Sequence, residues 1–158
     1  MTIESTRTIA TLPARGGRLP SFTSVTPSGD PIRLRDFYLR RNLALVFTHG
    51  ADCPKCRAYL TALNERRAVV QAEAAEILAV VSNDTNVADY SFPIALDPDG
   101  EIHRRYGLVD ADGRPGAAIF LVDRYGVVFE ASTANDAHDM LAAEDVPGWL
   151  EFIACRCS

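Results

Sequence analysis

The sequence predicts an α/β domain in which a mixed central β-sheet is flanked by helices. Three observations predict it. Two continuous apolar runs, residues 43–48 and 76–82, are separated by a long stretch of helical periodicity. Hairpin signals lie on either side of that unit, at 27–30 and 124–126. A short amphipathic segment, 147–155, follows the second hairpin.

Taken in order, residues 1–18 are polar with a basic end at Arg15 and Arg18, and are expected to form a flexible arm ahead of one domain, 19–158. Residues 22–26 and 31–34 read as strands joined at Pro27-Ser28-Gly29-Asp30, which makes an N-terminal β-hairpin. Residues 36–41 form a short helical or irregular link. The run 43–48 is uninterrupted and β-favouring, as suits a strand covered on both faces. A helix is expected from the cysteine pair at 53–56 to about residue 74, with Leu60, Leu63 and Val70 on its inner face and Glu65, Arg66 and Gln71 outward. With the strand at 76–82 it completes a βαβ unit with a parallel pair.

Asn83-Asp84 suit the cap of a short helix over 85–90. Residues 92–96 read as a strand, 101–106 as a short helix stopped at Gly107, and 117–123 and 127–131 as a strand pair. The last helix has Glu144, Asp145 and Pro147 at its start and Trp149, Phe152 and Ile153 as its apolar face.

The 158 residues suffice for one well-buried core. A net charge of −5 disfavours a nucleic-acid partner. The N-terminal stretch lacks the apolar region of a secretory signal, and no run is long enough to span a bilayer, so the expected setting is the cytosol, with no membrane partner. Structural disulfides are rare there, so four cysteines call for redox chemistry, metal binding or simple burial.

Cys53-Pro54-Lys55-Cys56 follows the first buried run and opens the long helix. Proline suits the first helical position, which puts Cys53 near the N-cap. There the unpaired N–H groups and the helix macrodipole favour the thiolate, the form that attacks disulfides, peroxides and metals. Cys56 comes almost one turn later, so both sulfurs can share a face and one can resolve a mixed disulfide made by the other. Lys55 is the sole lysine of the chain. It offers a cation to the thiolate or is simply a solvated side chain.

His49, four residues before Cys53, is a candidate to carry a proton or else bonds locally. Asp52 opposes the thiolate electrostatically and suits a turn bond better. Cys155 and Cys157 bracket Arg156. They can relay electrons from a mobile tail, or Cys155 packs beside Phe152 while Cys157 stands idle. Tyr59, Tyr106 and Trp149 read as core or sheet-covering aromatics, and Arg40-Arg41 and Arg104-Arg105 as solvated charge.

The order of elements, together with residues 17–22, 31–37, 43–56, 93–107 and 120–126, resembles the thioredoxin-like superfamily, in its AhpC/TSA–redoxin (peroxiredoxin-like) branch. The resemblance implies a three-layer thioredoxin-like fold with the N-terminal hairpin as an extension. Peroxidase-type members carry Pro-x-x-x-Thr-x-x-Cys. Here Val46 and Gly50 hold the proline and threonine places, and Ala117 falls close to the place of the family's arginine. Thioredoxin-type members have a cis-proline before the equivalent strand; Pro115 lies two residues early.

The leading expectation is a thiol–disulfide oxidoreductase, with Cys53 as nucleophile and Cys56 as resolving thiol. Its substrate is a protein or small-molecule disulfide, an external thiol reductant restores it, and it needs no cofactor and no resident metal. The alternative is a thiol peroxidase in which Cys56 or a tail cysteine resolves oxidised Cys53. A third reading makes the four cysteines, with His49 to spare, a non-catalytic zinc module. Redoxin relatives often pair, so a homodimer is compatible with the resemblance.

Overall fold

The computed structural model describes residues 12–49, 53–83, 87, 90–134 and 140–156. Five strands form the main sheet in the order β5-β4-β3-β6-β7. They are β3 (Asn42–Thr48), β4 (Ala75–Val81), β5 (Ile94–Leu96), β6 (Ala117–Val122) and β7 (Val128–Ala134). β3 pairs parallel to β4, and β4 parallel to β5, whereas β6 pairs antiparallel with both β3 and β7. A separate antiparallel hairpin, β1 (Thr23–Val25) and β2 (Pro31–Arg33), precedes the sheet. A 3-10 turn over Leu34–Phe37 links it to β3.

All seven residues of β3 are buried, and so are all seven of β4, as their unbroken apolar runs require of strands covered on both faces. Alternation sends Ala44 and Val46 to one side and Leu43, Leu45 and Phe47 to the other. The first side packs against α1 (Pro54–Glu65), α2 (Arg67–Ala72) and α4 (Val146–Arg156) through Leu60, Leu63, Val70, Leu150 and Ile153. The second packs against α3 (Glu101–Arg105), Tyr106 and the hairpin residues Phe22 and Ile32. Phe47, Tyr106 and Phe120 form an aromatic knot there, with centroids 4.8–6.0 Å apart.

The helix expected to run to residue 74 is two helices. It breaks at Arg66, whose guanidinium folds back onto the Ala62 carbonyl at 2.8 Å. Ala74 then adopts φ 56, a left-handed conformation that turns the chain into β4. The buried face of α4 is Val146, Leu150 and Ile153, while Phe152 points outward at 48% exposure, and Glu144 and Asp145 lie in a 3-10 turn ahead of the helix. Arg41 is also more than solvated charge. It pairs at 3.2 Å with Glu76, a carboxylate buried on β4 and held as well by Arg67 at 3.0 Å.

Tyr59 and Tyr106 are core residues, and Trp149 packs partly buried against the core. β7 extends beyond residue 131, to Ala134. Residues 16–18 lie alongside its start, where the Gly16 N–H donates to the Val128 carbonyl at 2.8 Å and the Val128 N–H to the Gly17 carbonyl at 2.9 Å. The short helix expected over 85–90 falls mostly outside the described residues. Among the described residues no helix is long and apolar enough to cross a membrane.

Candidate active site

The central strand β3 delivers the chain to His49, and α1 begins at Pro54. Cys53 is the N-cap of α1, with extended backbone at φ −81, ψ 121. Pro54 occupies the first turn, where a missing N–H costs no helical bond. The Cys53 carbonyl takes the first helical bond from the Arg57 N–H at 2.8 Å. The Cys53 side chain therefore stands at the mouth of the helix, half-buried. Cys56 faces inward and is fully buried in the core that includes Val46 and Leu60. Neither forms a disulfide in the structure.

His49 joins them. Its Nδ1 lies 3.4 Å from the Cys56 sulfur, and one donor atom from each of His49, Cys53 and Cys56 falls within 4.8 Å of the others. No side-chain cap bond closes the first turn in the dithiol. Burial opposes ionisation of Cys53, but hydrogen bonding from the His49 ring, the Cys56 amide, the Cys56 thiol and the Lys55 amide outweighs it and brings the thiol down to about 7. A large fraction of Cys53 is then thiolate at neutral pH. Lys55 acts on the sulfur through its backbone N–H, while its side chain is exposed.

The structure thus brings together three of the sequence-derived candidates, Cys53, Cys56 and His49. Cys155 is not in that group; it sits exposed on the last turn of α4. Cys157, Asp52 and Gly50 lie outside the described residues. Ala117, which falls close to the place of the family's arginine, is buried at the start of β6. The peptide bond before Pro115 is trans.

The sequence did not reveal the groove that meets the site at His49. It encloses about 830 Å³ between residues 107–117 and Thr133, with Arg114 and Asp110 as its charged residues. The segment before β6 doubles back on itself: Val109 bridges Pro115, and the Gly116 N–H donates to the Leu108 carbonyl at 2.8 Å. Asp110 is occupied as a turn former, its carboxylate accepting the amides of Asp112 at 2.8 Å and Arg114 at 2.9 Å. The turn composition Asp110-Ala111-Asp112-Gly113 was the available signal for this loop.

Comparison with known proteins agrees with this geometry. The chain is 28% identical over 134 residues to the thiol-disulfide oxidoreductase ResA of Bacillus thuringiensis subsp. konkukian (strain 97-27), covering 80% of this chain and 73% of the relative. It is 28% identical over 146 residues to Peroxiredoxin 2 of Thermoplasma acidophilum, covering 80% and 72%. Its fold matches the crystal structure of the peroxidoxin BcpB from Mycobacterium tuberculosis with a TM-score of 0.75, at 14% identity, over 92% of this chain and 99% of that one. The AhpC/TSA family matches residues 16–131, most of the chain. With a dithiol at the mouth of a helix on a thioredoxin-like three-layer sheet, the chain belongs to the AhpC/TSA family and is a thiol-dependent oxidoreductase.

Proposed function

We propose that the chain reduces disulfides, with Cys53 as the attacking sulfur, Cys56 as the resolving sulfur and His49 as the proton carrier between them. The observation that carries this reading is the position of His49, within hydrogen-bonding reach of Cys56 and also stabilising the Cys53 thiolate. In the first step the Cys53 thiolate attacks one sulfur of a substrate disulfide. A Cys53–substrate disulfide forms, and the other substrate sulfur leaves as a thiolate, which takes a proton from solvent or from His49. In the second step the Cys56 thiol loses its proton to His49 and attacks the Cys53 sulfur. The Cys53–Cys56 disulfide forms and the second substrate thiolate departs. The substrate has gained two electrons, and an external thiol reductant returns the enzyme to the dithiol.

Cys56 is sealed from solvent, which supports the order of events, because an incoming substrate reaches Cys53 alone. The groove beside His49 supports a peptide-sized or small-molecule disulfide as substrate. A cytosolic setting, expected from the sequence, suits the reducing direction, since thiols there hold the pair as a dithiol.

A thiol peroxidase reading has its own support in the match to peroxiredoxin relatives. In it the Cys53 thiolate takes the terminal oxygen of a peroxide to become a sulfenic acid, the alcohol or water leaves, and Cys56 condenses with the sulfenic acid, releasing water. Ala117, close to the place that the resemblance gives the family's arginine, is uncharged and buried, which counts against it. Insulin reduction and peroxide consumption assayed side by side on the same preparation separate the two. Disulfide reduction that depends on Cys53, with slow peroxide turnover, supports the proposal. The reverse ranking overturns it.

A further inference from the structure

We infer that the reduced site is also a binding site for one soft d10 metal ion, represented by Zn²⁺, held by His49 Nδ1 and the sulfurs of Cys53 and Cys56. The observation behind this is the cluster itself. Two thiols and an imidazole converge within 4.8 Å, with Cys56 Sγ and His49 Nδ1 3.4 Å apart. A tetrahedral zinc with bonds of about 2.3 Å to sulfur and about 2.0–2.1 Å to nitrogen places S and N roughly 3.5 Å apart and two sulfurs roughly 3.8 Å apart. The Cys56–His49 pair already has the separation a shared ion needs, and the remaining donor pairs lie within 4.8 Å.

The donor types fit as well. Thiolate and imidazole together select zinc and similar ions over magnesium or calcium. Two thiolates and a neutral imidazole neutralise one divalent charge. Three protein ligands leave a fourth position open, which water or a substrate thiolate can fill. The backbone positions suit a preformed site: His49 follows the fully buried β3, Cys53 caps α1 and Cys56 lies on its first turn. Cys155 lies outside the cluster, so the site needs no second cysteine pair.

Metal and disulfide exclude each other here. A substrate disulfide that accepts two electrons from the two thiolates leaves as two thiolates, closes the Cys53–Cys56 bond and frees the ion, since neither sulfur retains its ligating charge. The bound ion in turn masks the nucleophile. The site would therefore report the redox state of the pair and be silenced by the metal while reduced. This shares residues with the disulfide reductase reading but does not depend on it.

The test is a titration of the reduced, metal-free full chain with Zn²⁺ against a chromophoric chelator, and with Co²⁺ read by absorption. Expected are one equivalent bound, thiolate-to-cobalt charge transfer with tetrahedral ligand-field bands, and no binding to the oxidised protein. Cys53→Ser and Cys56→Ser should each abolish the charge-transfer signature of a two-thiolate site, with circular dichroism confirming that the variants fold. His49→Ala should weaken Zn²⁺ by at least about tenfold, and Cys155→Ser should leave the affinity unchanged. Absence of the cobalt–thiolate bands in reduced protein overturns the inference. So does unchanged affinity in His49→Ala, or a loss of binding in Cys155→Ser. Insulin reduction by the metal-free protein, run alongside, judges the function separately: failed metal binding with intact reduction sinks only the metal site, and the reverse sinks only the reductase.

Discussion

His49 Nδ1 sits 3.4 Å from the sulfur of Cys56, a thiol with no exposed surface. In the proposed reduction a thiol so buried needs a neighbour to take its proton, and the imidazole is placed for that; the same ring hydrogen-bonds Cys53 and favours its thiolate.

The two sulfurs should separate cleanly by mutation. Cys53→Ser is expected to remove disulfide reduction altogether. Cys56→Ser should keep the first attack and stall as a mixed disulfide with substrate, visible as a mass adduct on Cys53. An adduct on Cys56 in the Cys53→Ser protein, formed at a comparable rate, would reverse the assignment of roles.

The alkylation rate of Cys53 should rise through about pH 7 and level off above it, tracking the thiolate. His49→Ala should move that midpoint upward, toward the value near 8.5 of a free thiol, because the first of the favourable hydrogen bonds is lost. The same shift governs stability. Above the unfolded thiol's pKa both states are ionised and the reduced fold carries the full gain. As pH falls toward 7 the unfolded chain binds its proton first, and the gain is gone below the folded value. Denaturation of the reduced protein at pH 6 and pH 9 should show a larger Cys53-dependent contribution at pH 9, measured as the difference between wild type and Cys53→Ser.

Glu76 is a charge built into the sheet. Its side chain is 2% exposed and is held by Arg67 at 3.0 Å, Arg41 at 3.2 Å and the Ile77 amide at 2.9 Å. Glu76→Ala should cost roughly 2–3 kcal/mol in denaturant unfolding, less than for a fully buried pair because both arginines reach solvent. Glu76→Gln keeps the acceptor for Ile77 and should cost less. An equal loss in both variants would mean that the charge accounts for all of it and the retained acceptor for Ile77 contributes nothing.

Gly126 has φ +85, and an added Cβ there would meet the Tyr38 ring at 2.9 Å. Gly126→Ala is expected to lose about 1–3 kcal/mol through backbone strain and the displaced ring. Gly126→Ala combined with Tyr38→Ala should recover only the steric part. A single variant as stable as wild type in urea would show that the turn relaxes freely.

Much of the frame could be read from the chain because the decisive signals were local. Continuous apolar runs announced β3 and β4, and Cys53-Pro54 announced the start of α1. The break at Arg66 left no mark, since neither glycine nor proline interrupts the helical pattern; an arginine folding onto the preceding turn does so instead. His49 was ambiguous for a different reason. Its distance from the sulfurs depends on how the chain crosses from strand to helix, and spacing alone does not fix that path. The outward turn of Phe152 was hidden too, because α4 is apolar on more than one face and only packing against β3 selects Leu150 and Ile153.

Strand β3, which leads to the reactive thiol, lies at the middle of five strands and is hydrogen-bonded along both edges. In an amide hydrogen-exchange experiment such a strand opens last, often only with the whole molecule. The margins at β5 and β7 can fray or accept insertions without loosening the rail on which His49 is mounted. Changes at those margins are then compatible with sulfur chemistry that stays anchored to the slowest-exchanging part of the protein.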